Sequence, residues 1–90
     1  FTLEQNYPNP FNPTTTICYS LPRTSEFCIE IYDIVGRLIR TLMVGRQSAG
    51  QYAISWDATD DGGLTVASGL YYYAIRAGDF YQVRKMLYMK

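Results

Sequence analysis

The 90-residue chain has no histidine, and that absence closes more chemistry than any other feature of its composition. Ser-His-Asp and Cys-His nucleophile systems, histidine-ligated zinc and the usual general base near neutral pH all drop out. Net charge is missing too: eight basic side chains cancel eight acidic ones, and no Lys/Arg cluster is placed to neutralise a row of phosphates or an acidic leaflet. Nucleic acid and membrane surfaces are therefore not expected partners. No apolar run approaches the roughly 18 to 20 residues that span a bilayer, so no membrane insertion is expected. Phe1 to Asn6 also lacks the charged start and apolar stretch of a signal peptide. Two cysteines, Cys18 and Cys28, are too few to specify a disulfide framework.

What is present is apolar and aromatic. Apolar types make up 48% of the residues and aromatics 16%, with nine tyrosines, four phenylalanines and Trp56. One core over residues 1–90, built without metal, cofactor or disulfide, is expected from that stock. Helical periodicity is nearly absent, whereas short β-branched and aromatic runs are separated by Gly, Pro, Asn and Asp clusters, the signature of an antiparallel sandwich or barrel.

Ile17, Tyr19 and Leu21 alternate with Thr16, Cys18 and Ser20, and Phe27, Ile29 and Ile31 alternate with Cys28, Glu30 and Tyr32, as half-buried strands require. Gly36 accepts the positive φ of a tight turn before a strand over 37–43. Gly45 and Gly50 are expected to bracket a loop, 51–57 to form a further strand, the Asp/Gly-rich stretch 57–69 a long connection, and 70–77 and 80–89 a closing hairpin across Gly78-Asp79. With a weaker strand over 3–7 the count is seven, an all-β immunoglobulin- or fibronectin-III-like sandwich. The expected sheets are 3–7, 14–21 and 51–57 on one side and 27–34, 37–43, 70–77 and 80–89 on the other. Cys18 and Cys28 then lie on different sheets, pointing outward, too far apart for a disulfide, so both are expected as free thiols.

Three features invite a chemical reading. Asp57, Asp60 and Asp61 share one loop, which offers oxygen ligands for calcium but lacks the bidentate Glu and spacing of an EF-hand. Asp and Gly are also what a tight surface turn uses, and no metal site is expected. A carboxylate pair for glycoside chemistry normally comes from a rigid scaffold and not from one loop, so no catalytic residue is assigned. The stretch Pro8, Asn9, Pro10, Phe11, Asn12, Pro13 reads as a stiff, extended ribbon or, alternatively, as an edge segment whose prolines discourage strand addition. Leu70 to Tyr73 puts rings on both faces of one strand, and an outward set with Tyr81 or Tyr88 would make a platform for sugars or proteins.

Together the segments LEQNYPNPFNPTTTICYSLP (3–22), IYDIVGRLIRTL (31–42), GQYAISWDATDDGGLTVASGLYYYAIRAG (50–78) and RKMLYMK (84–90) resemble the C-terminal sorting domain of type IX secretion cargo proteins. The variant is the one related to the immunoglobulin-like domain of the flagellar hook-capping protein. The carrying motifs are the proline segment, Gly36, the step ending in Trp56 and Asp57, Gly69 with Tyr71, and a basic ending. Ala58 departs from the pattern, where glycine is usual.

The resemblance implies a non-catalytic module at the end of a larger secreted bacterial protein, directing it through the outer membrane to the cell surface. Its partners would be the outer-membrane secretion and attachment machinery and the upstream domains of its parent. It makes Pro8 to Pro13 a recognition segment and Arg84, Lys85, Met86 and Lys90 a C-terminal signal on a free end. A different use of the same scaffold is a self-associating extracellular structural subunit, and a less favoured one is an accessory carbohydrate-binding module. For self-association, the edge over 37–43 has only Arg37 and Arg40 as protection, and the lead segment, nearly detached by its prolines, is available to pair with a neighbouring copy.

Overall fold

Seven strands follow from these alternating runs in the computed structural model, which describes residues Phe1–Lys90. In chain order they are β1 (Thr2–Leu3), β2 (Thr15–Leu21), β3 (Ser25–Tyr32), β4 (Leu38–Gln47), β5 (Gly50–Trp56), β6 (Gly69–Ala77) and β7 (Phe80–Tyr88). All pairings are antiparallel, in a three-stranded sheet of order β1-β2-β5 and a four-stranded sheet of order β4-β3-β6-β7. The molecule is the seven-stranded sandwich its sequence predicts, with each segment in its expected sheet.

Alternation decides which side chains meet in the middle. Thr15, Ile17, Tyr19 and Leu21 of β2 are buried while the residues between them are half exposed, and Phe27, Ile29 and Ile31 do the same on β3. Trp56, Tyr71, Tyr73, Ile75 and Met86 complete the core with them. Cys18 and Cys28 are unbonded, half exposed, and on the outer faces of different sheets. Burial and the neighbouring Glu30 raise the pKa of the Cys28 thiol.

Three segments depart from expectation. The first strand is two residues long, not five. After Leu3 the chain keeps only intermittent contact with β2, through Glu4 N to Cys18 O at 2.9 Å and a reciprocal Tyr7–Thr16 pair, because the lead segment carries one extra residue between the Leu3–Tyr19 and Tyr7–Thr16 pairs and Asn6 N donates to the Tyr73 hydroxyl instead. The fourth strand, in contrast, runs on through Gly45 to Gln47. It is an edge strand paired on one side only, where a glycine is tolerated, and Gly45 stands opposite Phe27 in register. Only Ser48 and Ala49 separate β4 from β5.

The third departure concerns how the β4 edge is protected. Charge is not its only guard: the register slips twice against β3, leaving Leu42 and Ile39 without direct partners, and such bulges spoil an edge as a template. The 57–68 connection also folds over it. Asp61 N donates to Ile39 O at 3.0 Å, Thr41 N donates to the Asp61 carboxylate at 3.0 Å, and Arg40 reaches Thr59 and Asp60 O. The connection is held at its base by Trp56, whose indole N–H donates to Thr59 O at 2.8 Å. Ala58 there has a φ of +62° and is fully buried, which gives a backbone reason why glycine would be at home at this position.

Candidate recognition surface of the lead segment and the terminal strand

The proline segment is not a free ribbon. It bends across the open side of the sandwich, from the β2 edge at Tyr7 to the β7 edge at Phe11, and the Tyr7–Pro8, Asn9–Pro10 and Asn12–Pro13 peptide bonds are cis. Pro8, Asn9, Pro10, Asn12 and Pro13 are exposed, but Phe11 between them is buried. Its ring packs 5.7 Å from Trp56 and 5.2 Å from Tyr88, centroid to centroid. The segment is thus an exposed arch with an aromatic plug, and the expectation that all six residues present an epitope is corrected at Phe11. Proline spacing gives no period from which the inward side chain can be read.

Polar contacts hold the arch along the outer edge of β7. Arg84 Nε donates to Leu3 O at 2.6 Å, Gln5 Nε2 to Lys85 O at 2.8 Å, and Leu87 N to Asn9 Oδ1 at 2.9 Å. Phe11 N then donates to Leu87 O at 3.0 Å, and Met89 N to Phe11 O at 3.1 Å. Groups that an edge strand would offer to another chain are satisfied from within. Segment 1–13 is accordingly not detached, contrary to the strand-donation expectation.

A buried polar cluster fixes the bend itself. Asn6 is nearly inaccessible, and its amide N–H₂ donates to Thr15 Oγ1 at 2.9 Å and Pro8 O at 3.2 Å. Thr15 also donates to Pro8 O at 2.9 Å. From the opposite sheet, the Tyr73 hydroxyl accepts from Asn6 N at 2.8 Å and donates to Glu4 O at 2.6 Å. Desolvation pushes the pKa of Tyr73 up to about 12. Asn6 and Thr15 were not singled out by sequence, and Tyr73 only as one of the tyrosine run. The available signal was that Thr15 and Tyr73 fall on the inward parity of their strands, where a polar group needs a partner.

The terminal strand is likewise half core. Met86 and Tyr88 are buried, whereas Lys85 and Lys90 are exposed. Of the four residues assigned to a C-terminal signal, Met86 therefore belongs to packing and Arg84 is engaged with Leu3; Lys85 and Lys90 are left as accessible cations. The end is also tied, through Lys90 N to Ser68 Oγ at 3.0 Å. Tyr88 cannot join an outward platform because it faces the core, while Tyr72 and the exposed Tyr81 lie on the outer face of the four-stranded sheet.

The remaining motif residues have structural tasks. Gly36 turns the chain at φ +87° beside Asp33, whose carboxylate accepts from Val35 N, Arg37 N and Arg37 Nε. Those bonds, the Arg37 amide foremost, hold the pKa of Asp33 below the usual value. Gly69, at φ +149°, opens β6. Tyr71 two residues on donates its hydroxyl to Ala67 O at 2.6 Å, a tyrosine-corner arrangement. Asp57 accepts from the Thr59 hydroxyl, Asp60 from Gly62 N and Leu64 N, and Asp61 from Thr41 N. These carboxylates serve the loop's own turns and do not converge on a point: no cluster of three potential metal ligands exists in the chain.

The chain is similar to known proteins at two levels. Over 49 residues, 54% of its length, it is 41% identical to the basal-body rod modification protein FlgD of Salmonella typhimurium, of which it covers 21%. Its fold superposes on part of PorZ, described as an essential bacterial surface component of the type-IX secretion system of Porphyromonas gingivalis, with a TM-score of 0.65, 21% identity, and 96% of this chain against 11% of that one. It superposes also on part of dimeric latent PorU from the same organism, with a TM-score of 0.69, 21% identity, and 94% of this chain against 9% of that one. At such identities the two superpositions establish a shared fold. The FlgD Ig-like domain model matches residues 12–79, most of the sandwich from the end of the arch to the β6–β7 turn, and the chain belongs to that family.

Proposed function

We propose that this domain is a non-catalytic sorting and anchoring module that directs a larger exported bacterial protein through the outer membrane to the cell surface, read by secretion and attachment machinery. One observation carries the proposal: the two segments that the sequence resemblance marks as recognition elements lie side by side. Pro8, Asn9, Pro10, Asn12 and Pro13 are exposed on an arch pinned to β7, beside exposed Lys85 and Lys90. A surface pre-ordered in this way loses little conformational entropy when a partner docks. The fold likeness to PorZ, a surface component of a type-IX secretion system, supports the same direction. The non-catalytic part of the proposal is supported by the lack of histidine and by the engagement of Asp57, Asp60 and Asp61 in local hydrogen bonds.

The test is a fusion of residues 1–90 behind an inert reporter in a host carrying a type IX translocon. Reporter at the cell surface, against none for the reporter alone, is expected; reporter retained inside the cell contradicts the proposal. Deleting residues 84–90 is an unsuitable control, since it removes Met86 and Tyr88 from the core.

A second reading, a self-associating extracellular subunit, is favoured by open strand edges: β5 pairs with β2 alone, and β4 from Met43 to Gln47 pairs with β3 alone.

A further inference from the structure

The outer face of the four-stranded sheet carries a furrow whose aromatic end the hydrogen bonds of the arch do not use. The register sets which side chains share this face. Tyr32 stands opposite Tyr72, Ala74 opposite both Glu30 and Val83, and Arg76 opposite Tyr81. The short Ala74 side chain thus lies between larger neighbours on the outward face; it is 2% exposed yet lies outside the core cluster. The same face has a depression of about 380 Å³ whose lining includes Tyr32, Ile34, Tyr72, Arg76, Tyr81 and Val83, at the small end of the range for binding clefts. A second depression shares Tyr72 and Val83 and continues to Gln5, Arg84 and Lys85. The furrow therefore runs from an aromatic end to a cationic one, and the cationic end touches the arch.

Its charges are unequal in availability. At the aromatic end Asp33 is paired with Arg37 at 2.8 Å, and Glu30 accepts from the Tyr32 hydroxyl and stands 3.8 Å from Arg76. At the other end the exposed Lys85 has no carboxylate within 4 Å, while Arg84, opposite the core residue Tyr73, turns to Leu3 O. Tyrosine and arginine are the residue types that anchor protein contacts, and free rim cations select partners of opposite sign. We infer that this furrow docks an extended acidic peptide segment of a protein partner, with one aromatic or large aliphatic side chain in the Tyr32–Tyr72–Tyr81 depression and a carboxylate against Lys85. This deepens the sorting proposal and rests on it for the identity of the partner as export machinery.

The probe is a fluorescein-labelled peptide Glu-Glu-Trp-Glu-Glu, whose near-symmetry makes its direction immaterial, with Lys-Lys-Trp-Lys-Lys as its opposite. Fluorescence anisotropy should give saturable binding of the acidic peptide only, weakening as salt rises. Amide NMR shifts should concentrate on β6, β7 and residues 32–34. Lys85→Glu should weaken binding by about fivefold or more, the upper range for one exposed ion pair, and Tyr72→Ala should abolish it, both with unchanged melting temperature. Equal binding of the two peptides, no binding of either, or shifts at the same amides produced instead by cellohexaose would each overturn the inference. The reporter fusion carrying Tyr72→Ala, a furrow residue outside the arch and terminal-strand surface, separates the two proposals. Acidic-peptide binding that is lost while export is untouched leaves the furrow standing and removes its export role. Export of the native fusion with no peptide binding leaves the sorting proposal and removes the furrow.

Discussion

Phe11 sits between two exposed residues and is itself 2% exposed, so adjacent positions in one motif carry opposite loads. Phe11→Ala removes a ring packed on Trp56 and Tyr88 and should cost about 3 to 5 kcal/mol. Pro10→Ala or Asn12→Ala should stay within about 0.5 kcal/mol. Urea unfolding of the three variants checks this, and equal costs would mean that the arch is not plugged. Ala58 poses a finer balance. A left-handed alanine costs roughly 1 to 2 kcal/mol, while its buried methyl contributes about 0.8 kcal/mol and glycine adds flexibility to the unfolded chain. Ala58→Gly should therefore change stability by less than about 1 kcal/mol. Ala58→Val, β-branched at positive φ with no space around it, should lose more than about 2 kcal/mol. At this scale the sequence was legible wherever alternation operated, as for Ile17 or Tyr71. It was silent on Phe11, Asn6 and Asn9, because prolines abolish the period that tells inward from outward.

The strands were legible because each is a short alternating run bounded by Gly, Pro or Asp, and residues 78–79 turn where they were expected to. What sequence could not supply was lateral contact: that the 57–68 connection hydrogen-bonds to β4, and that the lead segment lies along β7. Both include single side chains, Asp61 and Asn9, that reach backbone groups about 20 and 80 residues away in the chain, beside backbone bonds such as Asp61 N to Ile39 O and Phe11 N to Leu87 O. The lead segment hangs on Tyr73. Tyr73→Phe leaves Asn6 N–H and Glu4 C=O without their partner and should cost about 1 to 3 kcal/mol. Its pH signature is specific. The folded pKa of about 12 lies above the ordinary value of 10.0. Below pH 10 the hydroxyl is protonated in both folded and unfolded chains, and its contribution is fully present; as pH rises toward 12 the unfolded chain ionises first and that contribution is lost. Denaturation midpoints measured between neutral pH and pH 12 should therefore fall less steeply for Tyr73→Phe than for the native chain. Parallel curves would show that the hydroxyl is not held as described.

Across the whole molecule, the edges decide between export module and assembling subunit. The outer side of β7 is occupied by the arch, β4 is bulged and bridged by Asp61, and β1 is two residues long. That leaves β5, and β4 past its bulges from Met43 to Gln47, as the open edges. With Leu3, Asn6 and Phe11 buried in their own sandwich, strand donation requires pulling these side chains out of it. Light scattering over a hundredfold concentration range should return the constant mass of one chain, and growth that disappears on removing residues 1–7 would favour the structural subunit.

The proposed recognition face itself is tested by two fold-neutral variants of the reporter fusion. One combines Pro10→Ala, Asn12→Ala, Lys85→Ala and Lys90→Ala on the arch and terminal strand. The other combines Gln51→Ala and Ser55→Ala, exposed on the outer face of the three-stranded sheet. With melting temperatures matched to the native domain, surface display of the reporter should be lost in the first and retained in the second; equal display of both would contradict recognition through the joined arch and terminal strand.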